Sequence, residues 1–316
     1  MTVEQNDLTI RPITGRDDLD LFSRLPYALN EELADDLAAG RRHPQWMWVA
    51  LRGDRLLARA AWWGRAGDDT PFLMDILDLD DGGADHDRVD VGVRLVRAAM
   101  AAIVPAGARP PEYLRFVPPD WRAAGAARRV VEDRIAVLER TGAHLLVERL
   151  RLEWRPGTPI PEPSGRLAFR PVRDTEEILS LMTLVLDGTL DAHSRDDLAR
   201  MPARAAAVRH YEDELAHYRS PRDWWRVASL PDGEPVGFVT PARNDYNPII
   251  GYLAVLPAHR GNGYIDDILA EGTRILAAQN VPRIRAATDL GNVPMANAFQ
   301  RVGYVNFERT INMTWN

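Results

Sequence analysis

The residues best placed to do chemistry lie in one run, Leu253 to Asp267, "LAVLPAHRGNGYIDD", where an apolar stretch stops at a proline and an Arg260-Gly261-Asn262-Gly263 turn follows. Gly261 and Gly263 allow backbone conformations closed to other residues, so successive N–H groups can converge on one hollow. From Tyr264 the sequence is helical in period, which brings the positive end of a helix dipole to the same hollow. Such a site holds an anion, and a pyrophosphate suits it. A dinucleotide-binding turn would carry a third glycine, whereas Tyr264, Ile265 and Asp266 stand here, so that reading weakens.

The elements that must position this turn read directly from the pattern. "PIIGYLAVLP" (248–257) is short, apolar and bounded by prolines, as a mostly buried strand is. "YIDDILAEGTRILAAQN" (264–280) places Ile265, Ile268, Leu269, Thr273, Ile275 and Leu276 near helical spacing. Strand, glycine turn and helix therefore follow one another without a break.

Together, "VLPAHRGNGY" and "IRAATDLGNVPMANAFQRVGY" (284–304) resemble two consecutive blocks of the GNAT superfamily of acyl-CoA-dependent N-acyltransferases. The resemblance covers Leu167 to Trp315. It implies that the backbone of Arg260, Gly261, Asn262, Gly263, Tyr264 and Ile265 grips the CoA pyrophosphate, and that Asn292 contacts the pantetheine arm. It also implies that main-chain N–H groups of Leu253, Ala254 and Val255 hold the thioester and its oxyanion. There are two departures: Ile265 stands where a small residue is usual, and Phe299 falls where many members carry a tyrosine that protonates the departing thiolate.

Direct attack by a neutral amine also needs a base, and the candidates are Asp187, Asp191 and His193, with Asp245 and Tyr246 just before the central strand, and Tyr252 within it. Each has a plainer reading. "AHSRDD" looks like a helix start with Ser194 as cap and Asp196 and Asp197 in the first turn, Tyr252 reads as sheet packing, and a water relay would serve as well. Trp224 and Trp225 read as core.

The chain also echoes itself. "LTIRPI" (8–13) returns as "LAFRPV" (167–172), "WMWVALRGD" (46–54) resembles "WWRVASLPDG" (224–233), and "RAAMAAIVP" (97–105) returns as "RILAAQNVP" (274–282). "LERTGAHLLVERLRLEW" (138–154) aligns with "FQRVGYVNFERTINMTW" (299–315). Four matches in one order indicate a duplicated domain. Each copy reads as strand, one or two helices, strand hairpin, strand, helix, strand, helix and closing hairpin, an α/β (α+β) fold on a mixed sheet. The run from Trp154 to Gly165, "WRPGTPIPEPSG", has four prolines and two glycines and reads as solvated linker. The expected organisation is a degenerate GNAT-like domain at 1–154, a linker at 155–165 and an acyl-CoA-binding catalytic domain at 166–316. Extra residues at 201–218 lengthen the helical segment before the second hairpin, where they are placed to cover a cleft.

The first copy should not bind the coenzyme. Where the second has Arg260 and spaced glycines, the first has Asp78, Asp80, Asp81, Asp85 and Asp87, whose crowded carboxylates would repel a pyrophosphate.

Composition narrows the classes further. There is no cysteine and no lysine among the 316 residues, so all 39 basic residues are arginine, and thiol nucleophiles, Schiff-base chemistry and a Walker-type lysine are excluded. A net charge of −7 argues against nucleic acid as partner, and no apolar run is long enough for a membrane. The sequence is therefore expected to be a cytoplasmic N-acetyltransferase, without metal, moving acetyl from acetyl-CoA to a small-molecule amine, as monomer or homodimer. The alternative is an inactive CoA-binding sensor or interaction protein.

Overall fold

The computed structural model describes residues 8–82 and 87–315. Its contacts divide the chain into two compact units, the first running to Val147 and resuming at Thr310, the second running from Glu148 to Arg309.

The first unit opens with β1 (Leu8–Pro12), α1 (Leu19–Phe22) and α2 (Leu33–Ala38), then the hairpin β2 (Met47–Arg52) and β3 (Arg55–Trp63). It continues through β4 (Leu73–Leu79), α3 (Arg88–Ile103), β5 (Glu112–Val117), α4 (Gly125–Glu139) and the start of β6 (Ala143–Trp154). The second unit repeats the plan with β7 (Ala168–Pro171), α5 (Thr175–Val185), α6 (Ala192–Leu198), α7 (Ala203–Asp213) and the hairpin β8 (Arg226–Ser229) and β9 (Pro235–Arg243). It ends with β10 (Pro248–Val255), α8 (Tyr264–Ala277), β11 (Ile284–Asp289), α9 (Val293–Arg301) and β12 (Val305–Trp315). The mixed-sheet α/β fold and the duplication are borne out, and α7 is the helix that residues 201–218 add.

The closing segment of each copy is a correction. Neither folds as a hairpin: "HLLVERLRLEW" and "VNFERTINMTW" contain neither glycine nor proline, and each stays extended throughout. Each is one long strand, and the division between the units falls within it. In the first unit the order runs β1-β2-β3-β4-β5, with the end of β12 beside β5; in the second it runs β7-β8-β9-β10-β11, with β6 beside β11. The β6–β11 pairing is antiparallel from Ile284↔Trp154 to Asp289↔Arg149. Leu152 and Trp154 are thereby buried in the second unit's core with Leu253, Ile268, Leu269, Leu276 and Phe299.

Residues 155–165 lack regular structure, as the prolines dictate, but they are not simply solvated. Arg274 donates to the Pro161 carbonyl (2.9 Å), and Thr158 packs so closely on Gly303 that a Cβ there would meet it at 2.5 Å. Ile160 packs on the same core.

Candidate functional site

The glycine turn has the form the sequence implies. Gly261 and Gly263 have φ of +82° and +75°, in the left-handed region, and Gly263 is the N-cap of α8 without a side chain to cap it. The Asp266 amide turns to the Gly263 carbonyl (3.3 Å), while those of Tyr264 and Ile265, the first two of α8, lie ahead of the intrahelical ladder and remain available to an anion. Two first-turn carboxylates threaten that role, and arginines answer both. Arg301 forks onto Asp266 at 2.7 and 2.8 Å, while Asp267 accepts from the Ser164 hydroxyl (2.8 Å) and Arg166 (3.1 Å). Arg166 also donates to the Asn262 carbonyl (2.9 Å) and lies over the Tyr264 ring at 4.9 Å. No motif singled out Arg166, Arg301 or Ser164; the signal was two acidic residues at a place needing a positive field.

The side chains of Arg260 and Ile265 are engaged away from the turn's hollow. Arg260 gives Nη1 to the Asp187 carbonyl (2.6 Å), Nη2 to that of Val185 (2.8 Å) and Nε to that of Val255 (3.2 Å), tying the turn to the C-terminal end of α5. Its guanidinium is thus committed to carbonyls. Ile265 packs against the core, so it does not crowd the helix start.

Above the turn, β10 and β11 part company. Their parallel register is confined to Ile249↔Arg285, although β10 continues to Val255. A bulge between Ile250 and Tyr252 resets β10 against β9, and Thr240 Oγ1 accepts from the Tyr252 amide at 2.7 Å. The Leu256 amide donates to Val236 of the β9 side. Since N–H direction alternates along a strand, the amides of Leu253 and Val255 face the opening instead. Asn292 caps α9 beside it, and its Nδ2 donates to nothing among the described residues.

The proposed bases scatter. Asp245 sits in the β9–β10 turn in an ion pair with Arg219 (2.6 Å), at the far end of β10 from Leu253, and Tyr246 is exposed there, so neither is brought to the opening. Asp187 lies on a groove of about 860 Å³ with Leu181, Leu184, Leu198 and Leu256. Tyr252, Leu253 and Asn292 do not line that groove. Phe299 is fully buried, 5.1 Å from the Tyr304 ring, and so points into the core rather than the opening. Trp225 is buried in the core and Trp224 packs against it, as expected.

Asp191 is the cap of α6, accepting from the Ser194 amide at 2.8 Å, where the sequence pointed to Ser194. It nevertheless belongs to a charged cluster at the opening. Asp289, at the end of β11, accepts from the Ala192 amide (2.7 Å), and Arg149 of β6 lies 3.1 Å from Asp289 and 3.7 Å from Asp191. Burial, then the charge of Asp191, pushes the Asp289 carboxyl up. Burial also acts on Asp191, but Arg149 and the Ser194 amide outweigh it and leave that carboxyl lowered. Beside them Tyr252 lies between Phe238 (5.2 Å) and His210 (5.0 Å), its phenol raised by burial. His210 was missed entirely: it is a lone histidine on α7, and only tertiary packing brings it to Tyr252. Among the described residues no group of carboxylates and histidines could hold a metal, and no helix is long and apolar enough to cross a membrane.

Residues 192–304 match the acetyltransferase (GNAT) family. Among solved structures, the chain is similar over 99% of its length to a GCN5-related N-acetyltransferase from Sphaerobacter thermophilus, at 15% identity, TM-score 0.60 and 96% of that chain. It is similar to a tandem GNAT protein from the clavulanic acid biosynthesis pathway at 17% identity and TM-score 0.50, covering 98% of each chain. An acetyltransferase from the GNAT family of Colwellia psychrerythraea matches at 13% identity and TM-score 0.50, over 98% of this chain and 100% of that one. No curated protein matches. The fold is thus that of a tandem GNAT acetyltransferase.

Proposed function

We propose that the second unit, matched to the GNAT acetyltransferases over residues 192–304, moves an acetyl group from acetyl-CoA to the amine of a small molecule in the cytoplasm. The carrying observation is the alignment of an uncapped glycine turn at the start of α8 with the opening between β10 and β11. In this reading the amides of Gly261 to Ile265 take the pyrophosphate, helped by Arg166. Asn292 Nδ2 donates to a carbonyl of the pantetheine arm. The Leu253 amide donates to the thioester oxygen, where negative charge grows as the amine attacks. The amine nitrogen bonds to the carbonyl carbon, the C–S bond breaks, and the thiolate leaves without an enzyme-bound intermediate.

Phe299 keeps a second reading in play, since its burial leaves no phenol for the departing sulfur. A CoA-binding protein without turnover would look the same at the turn. Release of CoA thiol from acetyl-CoA across a panel of primary amines separates the two: transfer to at least one amine is expected, and binding without any transfer would favour the sensor.

A further inference from the structure

The second unit carries a half-buried histidine, with one enclosed ring nitrogen, that the reading above does not use. His210 stands near the end of α7 with its ring tilted 35° against Tyr252, the residue before Leu253. Its Nε2 is closed off from solvent and has no hydrogen-bond partner among the described residues. An imidazole nitrogen enclosed in this way loses its hydration, so it persists where its basicity is put to use or where packing compels it. The nearby carboxylates cannot serve in its place. Asp191 is committed to the Ser194 amide and Arg149, and Asp289 to the Ala192 amide and Arg149.

We propose that His210 is the general base that takes the proton from the attacking amine. This rests on the acetyl-CoA reading of the same site. As the amine nitrogen bonds to the acetyl carbon, its proton passes to Nε2. The C–S pair leaves with the thiolate, and the imidazolium returns its proton to that sulfur. Charge around the ring fits this cycle. Asp191, His193 and Asp197 face it from α6, Arg149 from β6, and Tyr252 from β10. Burial lowers the imidazole below its ordinary value, Asp191 opposes that and Arg149 adds to it, so the ring is neutral near pH 7 and can accept a proton. Asp191 then faces the imidazolium that forms, much as an acidic residue steadies a catalytic histidine elsewhere.

The test uses the full chain, with His210→Ala and His210→Phe, the second keeping an aromatic ring against Tyr252. Acetyl-CoA affinity is measured by calorimetry, and turnover with short primary alkylamines, or with water as the nucleophile if none is accepted. Both variants should lose at least about 100-fold in kcat while keeping acetyl-CoA affinity within about twofold. The acid limb of the kcat–pH profile should disappear, and added imidazole should restore part of the rate in His210→Ala. Unimpaired turnover in His210→Phe, or an unchanged acid limb, overturns the proposal and leaves acetyl transfer standing. Failure of the wild-type protein to bind acetyl-CoA overturns the transfer reading itself, and this inference with it.

Discussion

The two units share a strand order and treat the gap after their fourth strand in opposite ways. In the first, β4 and β5 pair only at Leu73↔Glu112 and Met74↔Tyr113, and the chains then diverge as β10 and β11 do after Ile249. That gap is filled. Arg115 of β5 reaches across to the Leu77 carbonyl and Asp78, both at 3.0 Å, while Arg59 of β3 forks onto the other oxygen of Asp78 at 2.8 and 3.0 Å. Tyr113 and Tyr27 are enclosed around Arg115, and Arg134 takes Asp81. In the second unit the corresponding space is edged by the Leu253 amide, Asn292 and the Asp191–Arg149–Asp289 cluster. The splay therefore belongs to the repeat, and its contents distinguish the two copies.

This also corrects the picture of the first copy's aspartates. Its aspartates do not simply repel: Asp78 meets Arg59 and Arg115, Asp80 meets Arg55, Asp81 meets Arg134, and Asp87 meets Arg52. Gly83 and Asp85 lie outside the described residues. Among the described residues the gap of the first unit is occupied by an ion-pair network, which neutralises these four aspartates.

The largest expected effect comes from taking β6 away. Producing residues 155–316 alone should yield a chain with no cooperative thermal transition and no acetyl-CoA binding, because β11 loses its antiparallel neighbour and the core loses Leu152 and Trp154. A cooperative fold with undiminished binding would show that the second unit does not need its borrowed strand. Next in size is Asp78→Ala, which leaves Arg59 and Arg115 buried without their carboxylate and should cost about 3–5 kcal/mol by urea denaturation. Acetyl-CoA affinity in the remaining folded protein should not change. A parallel loss of affinity would place the coenzyme in the first unit.

Much of this contrast is legible in the sequence, and the limits have physical causes. The glycine turn could be read because left-handed backbone restricts the residue type at Gly261 and Gly263. The exchange of closing strands could not be, because "LLVERLRLEW" and "VNFERTINMTW" carry similar alternation and either could line either sheet. The filled gap was hidden because Arg59, Asp78, Arg115 and Arg134 are scattered along the chain and meet only in the fold. His210 gives no local sign, since "AAAVRHYEDE" reads as an ordinary helix face. One tie that the repeat alignment stopped short of is plain in the structure. Arg11 pairs with Asp18, and Arg170 with Glu177, seven residues on in both copies.

Gly263→Val should have a moderate effect. A Cβ there meets nothing closer than Arg166 at 3.8 Å, so the strain comes from φ, at about 1–2 kcal/mol. Distortion of the anion turn should weaken acetyl-CoA binding by about tenfold or more while the protein stays folded. The smallest effect concerns the two matched ion pairs. A hydrogen bond from Arg11 holds Asp18 down at about 2, and one from Arg170 does the same for Glu177, also at about 2. Both carboxyls are depressed on folding, so their stabilisation is complete above the ordinary carboxyl range and fades as pH falls from there toward 2. Arg11→Gln and Arg170→Gln should each lower stability at pH 6 by about 1 kcal/mol or less, and the difference from wild type should shrink near pH 2.5. A difference that grows with acid would mean these pairs are not the source of the stabilisation.

The central claim is that one unit kept the coenzyme slot and the other filled it, and titration calorimetry of the full chain with acetyl-CoA tests it most directly. The account predicts saturable binding with one site per chain, weakened by Gly263→Val and indifferent to Asp78→Ala. Two sites per chain, or none, would contradict it.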